Sequence, residues 1–131
     1  MNDSKMENVG YIVVRVTTAR GAIPLEKATV SIRGTRKEDS GVIYSLETDK
    51  SGLTPRLPLP APPRDNSQAP NGDLPYSLWN IDVFLKGFAN ASYSGVPVYE
   101  GITSVQGAEL VPLSEGFMSS ESINESATPN L

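Results

Sequence analysis

Pro24-Leu25-Glu26-Lys27-Ala28-Thr29-Val30-Ser31-Ile32, followed by Thr48-Asp49-Lys50-Ser51-Gly52, decides the fold of this chain. In the first stretch Ala28, Val30 and Ile32 alternate with Thr29, Ser31 and Arg33, the period of a strand with one buried face. In the second, Asp49 has a side chain able to accept a local backbone hydrogen bond, and Gly52 supplies a left-handed exit, so a tight turn is expected. A calcium loop needs more carboxylates at alternating positions than this stretch has. Ahead of these lies Tyr11 to Thr17, β-branched and alternating, with Ile12, Val14 and Val16 inward and Arg15 and Thr17 outward; Ala19-Arg20-Gly21-Ala22 turns the chain.

The remaining segments continue the pattern. Residues 34–41 are polar and charged and read as a loop, after which Val42, Tyr44 and Leu46 form a third inner row. Seven prolines lie between Pro55 and Pro75. Proline has no amide donor, so this stretch is an edge or polyproline-like segment leading into a loop over 64–74. A stiff crossover packed through Leu57 and Leu59 is preferred to an SH3-type ligand. Trp79, Ile81, Val83 and Leu85 alternate with Asn80, Asp82, Phe84 and Lys86 as the strongest strand, expected at the centre of a sheet. Val96-Pro97-Val98-Tyr99 carries a proline and belongs at an edge. Thr103 to Leu113 is a final strand, with a bulge expected at Gly107. The expected fold is all-β, an antiparallel sandwich of about seven strands. Three regions follow: a lead-in over 1–9, the sandwich over 10–113, and an acidic, Ser-rich tail over 114–131 expected to be disordered.

Composition narrows the chemistry. The 131 residues suit one domain with its own core. There is no Cys and no His, which removes disulfides, thiolate metal sites and the usual general base. The net charge of −4 sits at the ends, and 10–113 is neutral. Arg33, Arg36 and Lys37 are followed at once by Glu38 and Asp39. Nucleic acid is therefore not expected as a partner. No apolar run is long enough for a membrane span, and the N-terminus shows no apolar h-region of a secretory signal. The chain is expected to be made in the cytoplasm. Asn-x-Ser sequons at Asn2, Asn90 and Asn124 read as chance matches.

No catalytic constellation is evident. Glu26, Glu38, Asp39, Glu47, Asp49, Asp82 and Glu100 fall on turns or outward strand faces without a glycosidase motif. Serines lack a nucleophile elbow. Trp79 at strand spacing belongs to the core rather than to a sugar platform. The chain is read as not an enzyme, with no catalytic, cofactor or metal residues. The contact candidates are Tyr76, Tyr93 and Tyr99, near loops and edges, with Asp65, Asn66, Gln68, Asn71 and Asp73 as a polar set in the 64–74 loop. Amides and carboxylates beside tyrosines suit a protein or a cell-wall glycan.

The order of these elements resembles the carboxypeptidase regulatory-like, or transthyretin-like, domain. The likeness rests on the Ile12 to Val16 strand, Pro24 to Ile32, Thr48 to Gly52, the proline-rich approach to the Trp79 strand, Gly87-Phe88, and Val96 to Thr103. It covers about residues 10–113 and consists of fold motifs. The ureide hydrolases of that fold depend on histidines and a Tyr-Arg-Gly-Ser end, absent here. Wall-anchored relatives place an isopeptide lysine on the first strand, where this chain has Arg15. The strings at 57–63, Pro75-Tyr76, 101–106 and 110–113 are similar to the N-terminal module of clostridial spore cortex-lytic and peptidoglycan-binding proteins. That resemblance implies an accessory binding module near peptidoglycan or the spore. The alternative is an assembly subunit that joins other chains through an edge strand or the tail.

Overall fold

Two four-stranded sheets pack face to face in the computed structural model, which describes residues 8–36, 41–63 and 75–113. In chain order the strands are β1 (Val9–Thr18), β2 (Ile23–Pro24), β3 (Thr29–Gly34), β4 (Ile43–Glu47), β5 (Leu57–Pro60), β6 (Tyr76–Phe84), β7 (Ala91–Tyr99) and β8 (Thr103–Glu109). One sheet has the order β4-β3-β6-β7, all antiparallel. In the other, β1 is central. It pairs antiparallel with β2 and β5 and parallel with β8.

The all-β sandwich agrees with the sequence, and the differences have local causes. The eighth strand is β2, whose two residues are too short to show alternation. The β1–β8 pair is parallel, from Tyr11↔Thr103 to Thr17↔Glu109, and its register runs unbroken past Gly107, so no bulge lies there. The bulge is on β7 instead, where Ser94 and Gly95 together oppose Asn80. Gly95 has φ +67°, and its N–H donates to Asn80 Oδ1 at 3.0 Å, which fixes the extra residue. β7 is consequently longer than the Val96–Tyr99 segment that its proline marks (residues 96–99). β8 stops at Glu109; Leu110 N–H still reaches Thr17 C=O, and Pro112 bridges to Phe88. Thr17, expected outward, is buried. β1 starts at Val9, and Asn8 C=O accepts a bond from Ala61 N–H. The tail over 114–131 lies outside the described residues.

The core follows the alternation. Ile12, Val14 and Val16 of β1 meet Val30 and Ile32 of β3, Trp79, Ile81 and Val83 of β6, and Val96 and Val98 of β7. Leu59, Ala61, Ala108 and Leu110 close its margins. Trp79 is fully buried, which excludes it as a sugar platform. Its indole N–H donates to Ser77 Oγ at 2.8 Å, and that hydroxyl donates to Pro60 C=O at 2.7 Å. A single buried serine thus satisfies the indole and ties β6 to the opposite sheet.

The proline run works as an edge. Ala61 N–H points at β1, so by the two-residue period Leu59 and Leu57 also turn their amides toward β1. The nitrogens of Pro58 and Pro60 therefore face away, where no donor is needed. The crossover from β4 to β5 is held at the predicted turn. Asp49 Oδ1 accepts the N–H groups of Ser51 (2.8 Å) and Leu53 (3.1 Å), and Gly52 has φ +77°. Buried Thr48 and Thr54 flank it. Thr48 Oγ1 accepts Ala28 N–H and donates to Leu25 C=O; Thr54 Oγ1 accepts Val14 N–H.

Five substitutions test this packing. Val83 is 1% exposed, whereas neighbouring Asp82 faces solvent in an ion pair with Arg33 at 3.1 Å. Val83→Asp is expected to unfold the domain, since an unpaired buried carboxylate removes much of a stability on the order of 5–15 kcal/mol. Asp82→Ala should cost less than about 1 kcal/mol. Urea melts of the two variants that coincided would reverse the face assignment of β6. At Gly52 a Cβ would lie 2.5 Å from Val16 O, whereas at Gly21, also left-handed, it meets open space. Gly52→Ala should lower Tm by roughly 10 °C or more and Gly21→Ala by much less, at about 4–8 °C per kcal/mol for a domain near this size; thermal melts read the ranking. Ser77→Ala strands the Trp79 indole N–H and should cost about 1–3 kcal/mol, read by tryptophan fluorescence during denaturation.

Candidate functional site

Alternation and register together sort the candidate tyrosines. Opposed residues of an antiparallel pair point to the same side, and Ser77↔Val98 and Trp79↔Val96 are inward pairs. Tyr76↔Tyr99 and Leu78↔Pro97 are therefore outward pairs. The two tyrosine rings meet with centroids 5.3 Å apart and planes tilted by 57°. This is a favourable aromatic geometry that also holds both rings in place on the sheet. Leu78 and Pro97 extend the patch along the strands, and all four residues are half-buried. Thr35 Oγ1 donates to Leu78 C=O at 2.8 Å, which fixes the backbone beside the patch.

Further along the same outer face the chemistry turns polar. Asp82 Oδ2 receives Arg33, and its other oxygen accepts Ser92 Oγ–H at 2.7 Å. Asn80 is committed to the β7 bulge. The face thus grades from an aromatic-apolar end, beside the junction with 64–74, to a self-satisfied polar end.

Tyr93 does not join the pair. It opposes Ile81, an inward residue, and packs against the core. The bulge at Ser94 and Gly95 is the cause: the extra residue shifts the alternation of β7, and Tyr93 turns inward. Asp65, Asn66, Gln68, Asn71 and Asp73 lie outside the described residues. Leu78 and Pro97 were missed in the sequence because their shared face becomes visible only with the register. A strand-spaced Tyr-x-Leu beside Pro-x-Tyr was the available signal.

A depression of about 410 Å³ opens among Glu26, Lys27, Glu47, Asp49 and Thr54. Thr48, at its floor, has its hydroxyl committed to Ala28 and Leu25. Among the described residues no set of three or more His, Cys, Asp or Glu side chains is arranged to hold a metal ion. No helix of the described residues is long and apolar enough to cross a membrane.

No protein-family model matches the chain, and no curated protein matches it. Solved structures do match. The TIE protein of Bacillus anthracis is similar over 81% of this chain and 17% of its own, at 12% identity and a TM-score of 0.52. Hydroxyquinol 1,2-dioxygenase from Pseudomonas putida DLL-E4 is similar over 79% of this chain and 56% of its own, at 8% identity and a TM-score of 0.53. Catechol 1,2-dioxygenase from Acinetobacter sp. ADP1 is similar over 100% of this chain and 60% of its own, at 12% identity and a TM-score of 0.57. The chain therefore spans less than two thirds of each of these proteins, and such identities show the fold alone. They nevertheless correct one expectation. The sequence reads as that of a non-enzyme because no catalytic constellation is evident in it. Hydroxyquinol and catechol dioxygenases are enzymes that contain the same sandwich, so the lack of an activity does not follow from the fold.

Proposed function

We propose that this chain is a binding module that contacts a protein or a cell-wall glycan through the Tyr76–Tyr99 patch and the adjoining 64–74 segment. The observation that carries this reading is the paired, outward tyrosines, fixed by register and flanked by Leu78 and Pro97. Fixed aromatic faces with phenol hydroxyls suit a flat apolar surface edged by hydroxyls or amides, as on a sugar ring or an extended peptide. In sequence, 64–74 adds amides and carboxylates beside the patch. The carboxypeptidase regulatory-like assignment belongs to the same proposal. The Ala28-to-Ile32 strand that follows Pro24-Leu25 and the Asp49–Gly52 turn support it, at residues 24–32 and 49–52. So does the spore and peptidoglycan association that the similar strings imply. A second reading, assembly through an edge strand, is favoured by the edges that the two sheets leave open.

Retention on purified peptidoglycan, compared with heat-denatured protein, tests the first reading. The folded parent should be retained. Tyr76→Ala, Tyr99→Ala and a Gly-Ser replacement of 64–74 should each reduce retention without shifting Tm by more than a few degrees. Parent protein that washes through like the denatured control removes the glycan arm. Variants retained as well as the parent move the site off this patch.

A further inference from the structure

Four long edges border the two sheets, and they are not guarded alike. The β5 edge presents Pro58 and Pro60, and β7 carries Pro97. On β4 the even residues face β3, as the Gly34-to-Val42 and Thr48-to-Ala28 bonds show, which leaves Ile43, Ser45 and the carboxylate-bearing Glu47 on the open side. β8 has seven residues, no proline and no lysine or arginine. Tyr11 N–H donates to Ile102 C=O and Leu110 N–H to Thr17 C=O, so the even residues of β8 serve β1. Thr103, Val105, Gly107 and Glu109 turn their backbone groups to the open side, where nothing among the described residues pairs with them as a strand. Long unguarded edges of this kind are what natural sheets ordinarily blunt.

We propose that β8 pairs antiparallel with β8 of a second copy about a two-fold axis at Gln106, joining the two β1-centred sheets into one. The sequence of the strand fits itself in this register. Thr103 faces Glu109 of the second copy, Val105 faces Gly107, and Gln106 faces its own counterpart. All four open residues then have a partner, which shifting the axis by one residue in either direction does not achieve. Val105 is 64% exposed, and a side chain at Gly107 would meet nothing within 4 Å. The isopropyl group of one copy thus fills the space left by the bare glycine of the other. Charges also fit. No like charges face each other in this register, and the Glu109 carboxylate is held by its own Arg20 N–H at 2.6 Å. The Gln106 amide donates to its own Gly107 C=O at 2.8 Å, which holds that carbonyl at the edge with a lone pair to spare. The interface is isologous and closes on itself, so it yields a dimer rather than a fibre. It is separate from the Tyr76–Tyr99 patch, which lies on the other sheet.

Sedimentation velocity of the full chain, from low micromolar to millimolar concentration, tests the pairing. The parent should pass from monomer to dimer. Val105→Lys places a charge at the edge and should leave a monomer throughout. Tyr76→Ala with Tyr99→Ala should leave the dimer unchanged, which separates this inference from the binding patch. All these positions are exposed or half-buried, and melting temperatures close to the parent's certify the fold. A parent that stays monomeric overturns the proposal, as does a lysine variant that dimerises normally.

Discussion

The backbone of the β4–β5 crossover passes so close to β1 at Gly52 that no side chain fits between Gly52 and the Val16 carbonyl. Val16 N–H donates to Gly52 C=O, and Val16 C=O accepts Leu25 N–H, so one residue of β1 positions both the crossover and the approach to β3. Two of the passages between the sheets, from β2 to β3 and from β4 to β5, run through this knot. Thr48, at the last step of one sheet, and Thr54, at the first step of the other, supply hydroxyls where the ladders cannot supply backbone partners. The turn residues therefore do more than reverse the chain. They let it change sheets without leaving buried amides unpaired.

A second constraint comes from tryptophan in a core built mainly of small aliphatic side chains. Trp79 fills the interior that Ile, Val and Ala line, but its N–H has to be met there. Ser77 meets it from the same strand, two residues away on the same face, and passes the bond on to Pro60. The proline run is thus engaged on both sides: its leucines pack into the core, its ring nitrogens face out, and one of its carbonyls anchors the indole.

Much of the fold was legible in the sequence. Period-two alternation gave β1, β3, β4 and β6 with the correct inner faces, and Asp49 with Gly52 gave the turn. These are local signals. What stayed hidden depends on long-range pairing. The parallel partner of β1 leaves no mark in 103–109, because a parallel and an antiparallel edge strand alternate alike. Gly107 and Gly95 look equivalent in sequence, yet only Gly95 sits opposite an asparagine able to fix a bulge. That bulge turned Tyr93 inward and left Tyr76 and Tyr99 as the outward pair. Of the candidate site, the two tyrosines were readable and their company was not, because Leu78 and Pro97 acquire meaning only through register. In the dioxygenases and the TIE protein the similar fold makes up only part of each chain, which separates the question of its shape from that of its chemistry.

The pairing of β1 with β8 has a consequence for how the molecule comes into being. The hydroxyl of Thr18 bonds the carbonyl of Leu110, 92 residues further on, and the ladder between these strands spans nearly the whole described chain. During synthesis β1 leaves the ribosome first, and its partner leaves last. Until then one edge of the central strand has unmet amides and carbonyls, while the sheet of β3, β4, β6 and β7 has all of its strands available. Closure of so long a loop is slow and happens only once the end of the sandwich has appeared. The nascent chain thus passes through a stage in which half of the sandwich can assemble and the other half waits, and during that interval it is exposed to mispairing and to whatever cellular factors shield bare strands.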